Sequence, residues 1–240
     1  MPKIAVINRS TVVKPRALDA MVRAFERQWA RDLLPIWGVD EAEFTVVPAN
    51  RSPPRGAWWL VFLDDTHQAH KLAYHDLTND GLPISKVFAR TLLKRSASIS
   101  VGASHELCEM AVDPWLNGAY QDHNEVFWAG EICDPVQGDR HGYEISGTRV
   151  ADFVTPDWFG HAHRGSRVDF RRHAKRSFQV LPGGYAQKYE IRRGWVQIHG
   201  AATASAKRTP PVPGSRRERR ARGEPRWKRS APKPEVRPDR

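Results

Sequence analysis

The alternation of apolar and polar positions divides the chain into a regular first half and an irregular second half. The short β-branched run KIAVINR (3–9) predicts a strand. From Pro15 to Trp37 the residues Leu18, Met21, Val22, Phe25, Trp29, Leu33 and Ile36 return every three to four positions. That spacing is one face of an amphipathic helix of about six turns. Pro15 suits its first turn and Gly38 its end. AEFTVVPA (42–49) and AWWLVFLDD (57–65) read as strands separated by the turn-rich NRSPPRG (50–56), and KLAYHDL (71–77) and SKVFARTLL (85–93) as strands flanking TNDGLP (78–83).

A second helix is expected from about Ser98 to Val112, with Ser98 or Ser100 as cap. Asp113-Pro114 should stop it, because the residue before proline disfavours helical dihedrals. From Trp115 to Trp158 the chain is rich in Gly, Asp, Asn and aromatics, with short strands expected at YEIS (143–146) and RVADFVT (149–155). SFQVLPGGYAQKYEIRRGWVQIH (177–199) reads as a hairpin turning at Pro-Gly-Gly. This order predicts an α+β fold rather than alternating βαβ units: a twisted, mostly antiparallel sheet, an N-terminal amphipathic helix, a second long helix and a loop-rich C-terminal half.

Charge changes the picture at one end only. The net charge of +11 suggests a polyanion partner, yet residues 201–240 hold thirteen Lys/Arg and four Asp/Glu, leaving +2 for residues 1–200. Those forty residues also carry seven of the eighteen prolines. With almost nothing to bury they cannot recover their ordering entropy, so residues 1–200 are expected to fold as one domain and 201–240 to form a disordered basic tail. Arg216, Arg217, Arg219, Arg220, Arg222, Arg226, Lys228 and Arg229 would hold nucleic acid or an acidic partner by counterion release, against the alternative of a merely solubilising extension. Nine tryptophans argue for a packed core, and no apolar stretch approaches a membrane span. Two cysteines, Cys108 and Cys133, make no disulfide framework and read as small buried apolar residues. MPKIAVINRS lacks the h-region of a signal peptide, so a cytoplasmic setting, or a virion-associated one for a phage-encoded chain, is expected.

The candidate chemistry lies in SHELCEMAVDPW (104–115). On a helix His105 and Glu109 are neighbours four residues apart and could grip one ion from successive turns. Glu106, beside them, could reach water at that ion. This is the H-E-x-x-H arrangement with a glutamate in place of the second histidine, and zinc accepts both donors. A third ligand is expected from GEICD (130–134): Glu131, with Asp134 as ligand or orienting group. Asp113, His123 and His141 are rivals. His67, His70 and His75 form a separate His-rich pattern, read as a weak metal candidate, and His161 and His163 as exposed.

Together SHELCEMAVDP, GEICDP, YEISGTRVADFVTPDWF and LPGGY resemble zincin-like proteins of bacteria and phages. More distantly they are similar to the plant exordium or phosphate-induced proteins, which share H-E-L-x-E-x-x-x-[DN]-P and a later G-E-[IN]-x-D. The resemblance spans about Ile99 to Tyr185 and implies a zincin-type fold with the motif helix beneath a twisted sheet. Residue by residue it matches His105, Glu106, Glu109, Asp113-Pro114, Glu131 and Asp134. The function expected is a metal-dependent hydrolase acting as a peptidase, with Zn2+ or another divalent metal held by His105, Glu109 and Glu131. Glu106 would be the catalytic base, and the substrate a peptide or protein. The alternative is a non-catalytic, virion- or nucleic-acid-associated protein using the domain as a scaffold and the tail as an arm.

Overall fold

The structure is a computed structural model that describes residues 1–48, 50–66, 71–160, 162–163, 165–190 and 194–200. The basic tail from 201 to 240, with all eight arginine and lysine positions named above, and His67, His70 and His161 lie outside these residues. No described helix is long and apolar enough to cross a membrane.

The main sheet has five strands in the order β2-β1-β3-β5-β4: β1 (Lys3–Asn8), β2 (Glu43–Val47), β3 (Trp58–Leu63), β4 (Ala73–Leu77) and β5 (Pro83–Phe88). β1 pairs in parallel with both β2 and β3, β3 pairs in parallel with β5, and only the edge strand β4 runs antiparallel. The expectation of a mostly antiparallel sheet is therefore corrected for this layer. The reason is a βαβ crossover: the helix following β1 returns the chain so that β2 lies alongside in the same direction. NRSPPRG does not turn a hairpin either, since β3 lies on the far side of β1 from β2.

That crossover carries the amphipathic stripe. It is α1 (Pro15–Arg27), a π turn (Gln28–Leu33) and α2 (Leu34–Trp37), ended by Gly38 in the left-handed conformation at φ 64°. Pro35 cannot donate to the carbonyl one turn back, which accounts for the irregular turn just before it. Leu18, Met21, Val22, Phe25, Trp29 and Leu33 are buried, as their spacing requires. They join Ile4, Val6, Leu60, Phe62 and Val87, alternate residues of three neighbouring strands, in one apolar cluster. The π turn also points Gln28 and Asp32 inward. Gln28 Nε2 donates to the Ala151 carbonyl at 2.8 Å, and Tyr143 Oη donates to Asp32 at 2.7 Å, fastening the first half of the chain to the second.

After β5 the segment read as one strand splits into strand and short helix α3 (Ala89–Lys94). The motif helix α4 (Ile99–Val112) follows, capped by the Ser98 hydroxyl, which accepts from the Val101 N–H. It packs against β4, β5 and the later strand Thr148–Val150, in the same cluster as α1. The C-terminal half is loop-rich, as expected. It holds the antiparallel sheet β11-β10-β7-β6 (β6 Ala119–Gln121, β7 Phe127–Ala129, β10 Tyr185–Glu190, β11 Gly194–His199) and the hairpin β8 (Tyr143–Ile145) with β9 (Thr148–Val150). Glu190 pairs with Gly194, so Pro182-Gly183-Gly184 precedes the β10–β11 hairpin rather than turning it. The class is α+β, with both long helices built into one shared core.

Candidate metal centre

Helix α4 is buried along most of its length, and its buried side chains include Glu106 and Glu109. An ionised carboxylate out of water needs a charged or hydrogen-bonding partner, so the neighbours of these two explain the helix. His105 Nε2 lies 3.3 Å from Glu109 Oε1, one turn on, and 3.2 Å from Asp134 Oδ1. Asp134 opens a single 3-10 turn (Asp134–Val136) that follows β7 through Gly130–Cys133. The Val154 N–H donates to the Ile132 carbonyl at 2.8 Å, and the Cys133 N–H donates to Glu109 Oε1 at 3.3 Å. These bonds draw the turn against the helix.

LPGGY contributes from behind. Leu181 N–H donates to the Pro135 carbonyl at 2.8 Å, and a Cβ on Gly184 would stand 2.6 Å from that oxygen and 2.8 Å from the Asp134 carbonyl oxygen. Only glycine permits this approach of backbone to the turn that bears Asp134.

The other side of the cluster is His75, fully buried on β4. Its Nδ1 lies 3.4 Å from Glu106 Oε2 and 3.6 Å from Glu109 Oε2. The pleat dictates this position. His75 pairs with Ser85, Ser85 with Leu60 and Leu60 with Val6, a row of side chains on the helix-covered face of the sheet. In that row the Ser85 hydroxyl donates to the Glu106 carbonyl at 3.2 Å.

Two metal-capable triads result: His105, Glu109 and Asp134, and His75, Glu109 and Glu131, each with its ligand atoms within 4.8 Å of one another. The expected set of His105, Glu109 and Glu131 is thus divided. Asp134 completes the group around His105, while Glu131 faces His75. Asp113 is turned to another task, its Oδ1 accepting from the Asn117 and Gly118 N–H groups at 2.9 and 2.8 Å where the helix ends. His123 is exposed, and His141 accepts from Arg140 Nε. Cys108 and Cys133 are both buried and free, as expected. Burial, then the neighbouring Cys108 thiol, holds the Cys133 thiol well above its ordinary range. Sequence reasoning underrated His75. The available signal was its place in AYHDL, on the same strand face as Ala73 and Leu77.

The electrostatics are those of crowded carboxylates. Burial opposes the charging of His105, but Glu109, Asp134 and Glu106 outweigh it and raise its pKa well above the usual imidazole value. Burial, then Glu109, pushes Asp134 up to about 7, with His105 pulling the other way. Neither Asp134 carboxylate oxygen makes a hydrogen bond of good geometry.

A third group, Asp152, Asp169 and His173, lies apart from α4's site. Asp152 Oδ1 accepts from Phe153 and Arg171 N–H, and Asp169 accepts from His173 and Ala174 N–H, so these carboxylates fasten loop backbone.

Compared with protein-family models, curated proteins and solved structures, the chain has no match.

Proposed function

We propose that the protein is a metal-dependent hydrolase of zincin type, acting on peptide bonds. The observation that carries this reading is the joining of His105 and Glu109, one turn apart on α4, with Asp134 from a separate turn. The spacing suits an ion better than it suits hydrogen bonds. Zinc–ligand bonds of 2.0–2.2 Å in a tetrahedron put neighbouring ligand atoms about 3.4 Å apart. The nitrogen–oxygen separations of 3.3 and 3.2 Å about His105 are close to that edge. Asp134 supplies the independent sign of fit, a 1 % exposed carboxylate whose oxygens lack well-formed hydrogen bonds. The motif helix beneath a five-stranded mixed sheet agrees with what the zincin resemblance implies.

Held by His105, Glu109 and Asp134, a divalent ion would supply Lewis acidity for a scissile carbonyl and lower the pKa of water. The protein's own contribution is Glu106. Adjacent in chain to His105 and 4 % exposed, it takes the proton of the attacking water on a carboxylate oxygen and returns it to the leaving amine. One histidine and two carboxylates neutralise a divalent ion, leaving a weaker Lewis acid than a two-histidine, one-carboxylate set. Chemistry at such a mononuclear site should therefore be slow.

The test is elemental analysis of the full chain, purified without chelator, beside His105→Ala and Glu106→Gln, with hydrolysis of an unstructured protein substrate. Wild type should retain transition metal, His105→Ala should lose it, and Glu106→Gln should keep it while hydrolysis falls about 10²–10⁴-fold. Absence of metal in wild type after reloading would overturn the proposal.

A further inference from the structure

The geometry points to a second metal position, held by His75, Glu109 and Glu131 and joined to the first by the Glu109 carboxylate. This inference rests on the reading of His105, Glu109 and Asp134 as a metal site. The second triad has the same ligand chemistry as the first: one imidazole nitrogen and two carboxylates, all buried.

Glu109 is common to both triads, and its two oxygens face different imidazoles. Oε1 is the one 3.3 Å from His105 Nε2, and Oε2 the one 3.6 Å from His75 Nδ1. A carboxylate presenting one oxygen to each side is a bridging ligand, and paired ions in hydrolytic sites stand about 3.5–4 Å apart. The separation at His75 is again near the tetrahedral edge of about 3.4 Å.

Charge argues independently. Glu106, Glu109, Glu131 and Asp134 are each at most 4 % exposed, and the histidines that face them act as neutral donors once they bind metal. One divalent ion leaves the four carboxylates at −2, or −1 if His75 takes a proton, whereas two ions bring them to neutrality. Uncompensated buried charge costs several kcal/mol per ion, which makes the single-ion state the poorer match.

The second ion also removes the weakness of the mononuclear site. Two divalent ions with Glu109, Glu131 and Asp134 as ligands carry +1, and Glu106 remains a carboxylate beside them. The ligand chemistry, imidazole with carboxylate oxygen, selects a divalent first-row ion such as Zn2+ or Mn2+.

The experiment is metal stoichiometry of the full chain, loaded with Zn2+ alone and separately with Mn2+ alone, then freed of excess ion. Wild type is expected to hold two equivalents, and His75→Ala and Glu131→Gln one each. The electron paramagnetic resonance of Mn2+-loaded wild type should show a spin-coupled pair, replaced in both variants by the signal of an isolated ion. Glu131→Gln is nearly isosteric and guards against a folding failure of His75→Ala. One equivalent in wild type, whatever the variants hold, overturns the second position while leaving the first intact. No metal in wild type overturns the hydrolase reading together with this inference.

Discussion

Asp134→Asn is expected to stabilise the metal-free protein and to weaken its hold on metal. In the metal-free state the Asp134 carboxyl titrates at about 7 instead of 3.8, chiefly through burial and then through Glu109. A tenfold change in proton affinity is worth about 1.36 kcal/mol, so the ionised carboxylate costs about 4 kcal/mol of folding stability at pH 8. That cost is already net of the His105 attraction, which pulls the other way, and asparagine, uncharged like the protonated acid, removes most of it. The gain is up to about 4 kcal/mol, or roughly 8–16 °C in Tm for a domain of this size. The sign with pH follows from the raised value. Between about pH 4 and 7 the unfolded chain releases this proton and the folded one keeps it, so wild-type stability falls as pH rises. The gain from Asp134→Asn should therefore shrink at pH 5. With Zn2+ at 100 times its dissociation constant, wild type should gain about 2.7 kcal/mol by mass action and the variant much less. Thermal melts at pH 8, with chelator and then with Zn2+, should thus show the difference between the two proteins shrinking by about 2–3 kcal/mol. A variant that melts below wild type in chelator, or gains as much from Zn2+, would show that Asp134 is only an ion-pair partner of His105.

Three further outcomes are expected. Gly184→Ala should force the Asp134–Val136 turn away, because the added methyl meets the Pro135 carbonyl oxygen at 2.6 Å. A loss of about 1–3 kcal/mol in urea unfolding, with weaker Zn2+ retention in a chelator competition, would be the signature. Asp152 is pushed up to about 9 by burial and by Asp169, so its proton stays on in the folded state as pH rises from about 4 to 9 and stability declines through that window. Asp152→Asn should flatten a slope of up to about 1.4 kcal/mol per pH unit, and parallel urea profiles at pH 5 and 8 would exclude the effect. Removal of residues 201–240 should abolish retention on DNA-cellulose at low salt and leave zinc content unchanged; equal retention would assign DNA no role for the tail.

Much of the site was legible because its core is local. His105, Glu106 and Glu109 are fixed relative to one another by helical geometry, and Ser98 and Asp113-Pro114 marked the helix ends to within a residue. GEICD could be recognised as the partner segment, but not which of its carboxylates faces His105. That choice depends on the backbone path from Gly130 to Val136, which Ile132, Cys133 and Pro135 fix through bonds to Val154, Glu109 and Leu181. Strand pairing was the least legible feature. NRSPPRG has the composition of a turn between neighbours, yet β2 and β3 flank β1 on opposite sides, each pairing with it in parallel.

His75 was hidden for a related reason, and its burial could still have been inferred. It stands 31 residues from Glu106, beyond any local spacing rule. The two-residue repeat of a strand puts His75 on the face of Ala73 and Leu77, and β4 buries both Tyr74 and His75. A histidine in the core needs a partner, and Glu106 and Glu109 of α4 stand 3.4 and 3.6 Å from its Nδ1. Helix α4 has the converse need, since it buries two glutamates in a largely apolar cluster. Each segment read alone contains an uncompensated polar group, and the two requirements are met by placing them together. The strand supplies an imidazole to a helix already carrying one, and the shared Glu109 lies between them. A buried centre with histidines on both sides of one carboxylate is more than a structural ion pair requires. Imidazole and carboxylate donors gathered in this way suit a divalent metal inside a protein core.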